Sequence, residues 1–182
     1  MKTFIFVCLS TIFVLQTSST QEPHAAKDSS QVSPRFNFIT LAGQRISSSS
    51  LEGKVIILDF WSTDCNPCRK SMPQWEKLYK EYKSDPKVAL FLVNSGWESI
   101  EKARAFASSK RSSFLFFSWG TEYDLPFAYD SASITLKAFN LDSNPSTVII
   151  DTKSRIRVRH SGYIEKLYDF MSDQVQRCLA ER

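Results

Sequence analysis

The sequence predicts an α/β fold: a mixed central β-sheet flanked by helices on both faces. Two observations carry this. Continuous apolar runs rich in β-branched residues, KVIILDFWS (54–62), VALFLVN (88–94) and STVIID (146–151), alternate with segments whose apolar residues recur every three or four positions. A strictly alternating run, RIRVRH (155–160), then precedes a last helix. With 182 residues, of which 42% are hydrophobic, the chain is long enough for one ordinary core.

The first twenty residues have a different layout. Lys2 gives a positive start, Phe4 to Leu15 is a short apolar run, and small polar residues follow at Thr17–Thr20. This is the arrangement of a secretory signal peptide, expected over 1–20. Its apolar stretch is too short to span a bilayer comfortably. Residues 21–33, QEPHAAKDSSQVS, are polar and aperiodic, and read as a flexible linker. The folded domain is expected over 34–182.

From Phe36, FNFITLAGQRISSSSLEGK predicts a short hairpin turning at Gly43, then a loop or a single helical turn near Ser48–Leu51. The run at 54–62 reads as a strand buried on both faces. A helix follows from about Asn66 to Lys83, with Cys68, Met72, Trp75, Leu78, Tyr79 and Tyr82 on its apolar side. Pro67 suits its first turn, whereas Pro73 is expected to kink it. A second buried strand spans 88–94. A helix over 98–110 presents Ile100, Ala103, Phe106 and Ala107. The aromatic stretch 112–131 predicts a strand near Phe114–Phe117 plus a capping loop. A short helix is expected at 132–141, strands at 146–151 and 155–160, and a final helix at 163–180.

Bulk charge narrows the function classes. The formal net charge is +4, and no dense Lys/Arg block occurs, so nucleic acid is not an expected partner. Of four cysteines, Cys8 lies in the signal segment, leaving Cys65, Cys68 and Cys178. Export implies an oxidising compartment in which disulfides persist. Three is too few for a disulfide scaffold. A lone C-x-x-C in a chain with only His24 and His160 is a poor zinc site, and no metal site is expected. Cys178 reads as a small buried residue, and His160 as structural or solvated. Arg155, Arg157 and Arg159 read as a solvated sheet edge.

In WSTDCNPCRKSMPQW (61–75) a strand runs into the cysteine pair and a helix begins at it. Cys65 therefore stands at a helix N-terminus, where free N–H groups and the dipole favour a thiolate. Cys68 can reach back to close a small ring, the order needed for thiol–disulfide exchange. As a static staple such a ring would remove little loop entropy. Asp59 interrupts an apolar strand, where an ionised carboxylate is expensive. Its pKa should rise into the range useful for acid–base work near neutrality.

ILDFWSTDCNPCRKSMP resembles the thioredoxin superfamily, nearest to its exported TlpA/ResA-like branch. LEGKVIIL, NPSTVIID and the closing helix fall in the family's order, so the likeness covers about 34–180. The resemblance implies a thioredoxin-like fold and an extracytoplasmic thiol–disulfide oxidoreductase. Cys65 would be the exposed attacking thiol and Cys68 the buried resolving thiol, with Asp59 assisting its deprotonation. Pro145 would be a cis-proline against the disulfide, Asn144 would offer its backbone to an extended substrate segment, and Trp61 would belong to the substrate contacts. No cofactor beyond the Cys65–Cys68 disulfide is implied. The implied partners are a disulfide-containing protein and a membrane or periplasmic thiol electron donor, with a monomeric chain. Asp64 stands where the family usually has Trp, placing a negative charge beside Cys65, while Arg69 and Lys70 pull the other way. Pro67 before Cys68 favours the reducing direction. A copper-handling chaperone and a non-catalytic binding module are the competing readings.

Overall fold

A computed structural model describes residues 31–109, 112–114, 117–119 and 123–181. Alternating β-branched and helical segments fold into a seven-stranded mixed sheet in the order β2-β1-β7-β4-β3-β8-β9. These strands are β1 (Asn37–Thr40), β2 (Arg45–Ser47), β3 (Val55–Trp61), β4 (Val88–Asn94), β7 (Phe127–Tyr129), β8 (Ser146–Ile150) and β9 (Ile156–Ser161). β3 pairs parallel with β4 and antiparallel with β8, and β4 pairs parallel with β7. The helices are α1 (Asn66–Tyr82), α2 (Ile100–Ala107), α3 (Ile134–Ala138) and α4 (Leu167–Ala180).

All seven residues of β3 are buried because both faces are covered. Val55, Ile57 and Trp61 face a core built with Trp75 and Leu78 of α1 and Met171 and Val175 of α4, against which Phe106 and Ala107 of α2 also pack. Ile56, Leu58 and Phe60 face the other way, onto Phe36, Leu136 of α3 and Phe139. Helices thus lie on both sides of the sheet, and α1 continues through Pro73 to Tyr82.

The structure corrects several element boundaries. α2 is shorter than 98–110, because Ser99 caps it and accepts the Lys102 N–H. α4 begins at Leu167 rather than near 163. The expected strand at Phe114–Phe117 is instead a separate antiparallel ribbon, β5 (Ser112–Phe114) with β6 (Phe117–Trp119). Residues 115 and 116 lie outside the described residues, as do the expected signal segment and most of the linker. β7 was not expected; three residues are too few to show a period.

Two corrections concern β9. Gln31 accepts the Ile156 N–H at 2.9 Å and the Ser33 N–H donates to Ser154 at 2.8 Å. Residues 31–33, given to the linker by composition, are therefore bound to the sheet edge, whose free backbone groups supply the partners. Arg155 and Arg157 are not simply solvated. Both donate to the buried Asp151 carboxylate, at 2.9 and 3.3 Å, and Arg157 also donates to Glu181 at 2.6 Å.

Candidate active site at the C-terminal edge of the parallel strands

β3 and β4 end together, with Trp61 beside Asn94. Ser146, the first residue of the antiparallel β8, lies opposite Phe60. The loops leaving β3 and β4 and the loop entering β8 are thereby gathered at one end of the sheet, the usual site end of an α/β fold.

The β3–α1 loop delivers the cysteines. Cys65 is the N-cap of α1, and its sulfur accepts the Cys68 N–H at 3.2 Å. That bond favours a thiolate on Cys65 when the pair is reduced. The two residues form a disulfide with Cα atoms 5.3 Å apart, within the normal range. Cys65 is partly exposed, whereas Cys68 is 1% exposed. Arg69 and Lys70 are turned to other partners: Arg69 donates to Asn66 Oδ1, and Lys70 lies 4.6 Å from the Tyr163 ring centroid.

Asp59 is buried on the sheet face that α1 covers. Burial pushes its carboxyl up to about 8, although Thr147 Oγ1 donates to Asp59 Oδ1 at 2.8 Å and favours the charged form. The Trp75 indole N–H acts in the same direction. It makes no hydrogen bond of normal geometry, so its influence is the weaker of the two.

The Asn144–Pro145 peptide is cis, and the Pro145 carbonyl accepts the Gly162 N–H at 2.8 Å. The Asn144 amide is satisfied with its nitrogen directed to Ser95 Oγ at 2.7 Å and to the Phe60 carbonyl at 3.3 Å.

A polar lock holds the loop ahead of Cys65. The Glu98 carboxylate accepts the Thr63 N–H at 2.8 Å, the Thr63 hydroxyl, and Asn94 Nδ2 at 2.6 Å. Lys102 Nζ sits 3.2 Å from Glu98 Oε2 and 2.6 Å from Asp64 Oδ2. Burial works to raise the Glu98 pKa, but the bonds from Thr63, Asn94 and Lys102 outweigh it and hold the group below its ordinary value. The charge of Asp64, expected to be countered by Arg69 and Lys70 of the following turn, is instead paired with Lys102 of α2.

Trp61 is corrected. It is fully buried, donates from Nε1 to the Leu92 carbonyl at 3.1 Å, and packs 5.1 Å from the rings of Phe106 and Phe127. Its place at the end of a two-face-buried strand makes it a core residue rather than a substrate contact.

The AhpC/TSA family model matches residues 30–159. The chain belongs to the AhpC/TSA family. Its relatives include proteins named thiol-disulfide oxidoreductases. It is 37% identical over 140 residues to thioredoxin-like protein YneN of Bacillus subtilis, covering 75% of this chain and 73% of that protein. It is 32% identical over 128 residues to thiol-disulfide oxidoreductase ResA of Halalkalibacterium halodurans, covering 69% and 65%. A solution structure of a candidate protein disulfide isomerase from Bacteroides thetaiotaomicron superposes with a TM-score of 0.71 at 25% identity, covering 88% of this chain and 96% of that one. This AhpC/TSA protein has a thioredoxin-like fold, is a thiol–disulfide oxidoreductase, and holds a Cys65–Cys68 disulfide.

Within this AhpC/TSA enzyme the structure gathers Cys65, Cys68 and Asn144–Pro145 at one edge and places Asp59 beneath α1. Thr63, Asn94, Ser95, Glu98 and Lys102 were not singled out from the sequence. One signal for them was available: NSGWES (94–99) is a polar turn directly following a buried parallel strand, where site residues collect.

Lys102 has a measurable consequence. In Lys102→Met, Asp64 and Glu98 lose the cation between them, and the negative charge left beside Cys65 disfavours its thiolate. Attack at neutral pH slows by about twofold to threefold, since the pair is largely exposed and screened. Alkylation rate against pH in the reduced protein measures this, and an unchanged pKa would refute it.

Proposed function

We propose that the enzyme is an exported reductase of protein disulfides. The observation that carries this reading is the asymmetry of the pair: a partly exposed Cys65 whose sulfur takes a backbone N–H at a helix start, beside a covered Cys68. The Cys65 thiolate attacks one sulfur of a substrate disulfide, forming a mixed disulfide and releasing the other sulfur as a thiolate. Cys68, as thiolate, then attacks Cys65 Sγ, breaks the mixed disulfide and releases the second substrate thiolate. Both released thiolates take up protons, so two electrons leave the protein and the Cys65–Cys68 disulfide remains.

Asp59 accepts the Cys68 proton through water and later returns it; a carboxyl titrating at about 8 suits that role. Asn144 and cis-Pro145 receive the substrate segment by strand-like backbone bonding. The disulfide is the redox group, with no further cofactor. A membrane or periplasmic dithiol returns the electrons, and the chain acts as a monomer. Export rests on the signal-peptide layout of residues 1–20. Pro67 between the cysteines supports the reducing direction.

The test is the reduction potential of Cys65–Cys68 in graded dithiothreitol buffers, with thiols trapped by a mass tag. A reductase is expected near the thioredoxin value of about −270 mV. A value near about −120 mV would make the enzyme an oxidant and overturn the assigned direction.

A further inference from the structure

Among the described residues, three large hydrophobic side chains are well exposed: Val32 at 69%, Trp97 at 53% and Ile134 at 60%. Val32 bridges to Arg155 beside β9. The other two stand on segments that meet at a single buried residue of the site edge, Ser95. The Ser95 N–H donates to the Trp61 carbonyl at 2.9 Å, four residues before Cys65. The Ser95 carbonyl accepts Ser133 Oγ at 2.6 Å, next to Ile134. Ser95 Oγ meets the Asn144 amide at 2.7 Å, next to cis-Pro145. Trp97 is two residues downstream.

The backbone on both sides of Trp97 is fixed. The Gly96 N–H donates to Asn94 Oδ1 at 3.1 Å. Gly96 has φ +69°, and a Cβ there would lie 2.0 Å from the Asp130 carbonyl oxygen, so only glycine fits. On the other side, Glu98 is locked to Thr63 and Asn94. An exposed indole held on a rigid loop loses little conformational entropy on binding, and Trp is the residue type most often found as an interface anchor.

We propose that Trp97 and Ile134 form an apolar docking rim beside Cys65, and that its occupant is an extended segment of a substrate protein bearing a bulky aliphatic or aromatic residue near its disulfide. The segments bearing these two exposed apolar side chains are hydrogen-bonded through one residue, Ser95, to both the strand end leading to the cysteines and the cis-proline loop, which fixes the rim at the site edge. This rests on the disulfide-reductase reading and specifies its substrate. A small hydrophilic disulfide reaches Cys65 without touching the rim. Trp97 also supplies an aromatic surface that position 64, an aspartate here, does not.

The experiment compares three disulfides in single-turnover reduction by the pre-reduced protein. Two are cyclic peptides, one with Leu and Phe flanking its cysteines and one with Ser and Gly; the third is 2-hydroxyethyl disulfide. Peptide rates are normalised to those with free dithiothreitol. The unmodified protein should reduce the apolar peptide about tenfold faster than the polar one. Trp97→Ala should remove that preference and leave 2-hydroxyethyl disulfide within about twofold, while Trp97→Phe should keep most of the preference. Equal peptide rates in the unmodified protein would overturn the rim, and so would a Trp97→Ala chain slowed alike on all three. A protein that reduces none of the three would overturn the reductase reading itself, and the rim with it.

Discussion

Cys68→Ser should accumulate a stable mixed disulfide between Cys65 and its substrate, while Cys65→Ser should form none and lose turnover by at least about a thousandfold. The two cysteines differ in exposure and in hydrogen bonding, and this sets their order. Cys65 is partly exposed, and its sulfur is met by the Cys68 N–H at 3.2 Å. Cys68 is covered by the core that also holds Met72 and Trp75. A substrate sulfur can reach the first and not the second. Without Cys68, no thiol stands behind Cys65 to release the product. The third described cysteine, Cys178, does not replace it: it is buried in α4, and burial pushes its pKa up to about 11, leaving almost no thiolate near neutrality. Mass spectrometry of the chain after exposure to a peptide disulfide reads the outcome. An adduct on Cys65→Ser, or its absence from Cys68→Ser, would reverse the assignment.

Asp59→Asn should slow resolution of the mixed disulfide by roughly a hundredfold and flatten its dependence on pH, while making the protein more stable. The kinetic part follows from the loss of a proton acceptor titrating at about 8, since a positioned general base is worth roughly 10²–10⁴-fold. The stability part has a definite sign. An unfolded aspartate ionises at about 3.9. In the folded protein, burial keeps the Asp59 proton on until about pH 8. Between these values the folded state binds a proton that the unfolded state lacks, so stability falls as pH rises from about 4 to about 8. Asparagine is neutral throughout and removes that loss, a gain of roughly 2–5 kcal/mol at pH 8. Its carbonyl can still accept the Thr147 hydroxyl that now donates to Oδ1. Urea midpoints of both proteins from pH 5 to 9 test this. Parallel curves would show that Asp59 ionises normally in the fold.

The elements that the sequence determined by itself are those whose signal is local. β3 and β4 are seven-residue runs that are apolar except for Asp59 and the terminal Asn94, and α1 repeats its apolar side chains every three or four positions over seventeen. The placement of Cys65 at the start of α1 needs only that strand, that helix and the Pro67 inside its first turn. Asp59 was legible because a carboxylate in an apolar strand conflicts with its surroundings.

Tertiary structure alone decided the rest. β7 has three residues and becomes a strand only because β1 and β4 flank it. A strand buried on both faces shows no alternation, so nothing in VIILDFW indicated that Trp61 would turn into the core instead of toward substrate. The partner of Asp64 was sought in Arg69 and Lys70 because Lys102 lies 38 residues away, and the lock on Thr63 comes from Glu98, 35 residues away. Parallel strands bring such partners together only once the helix between them has crossed over the sheet. Charge pairing and the exposure of Trp97 are set at that stage, because they depend on which loops share an edge, a property that no local stretch of residues contains.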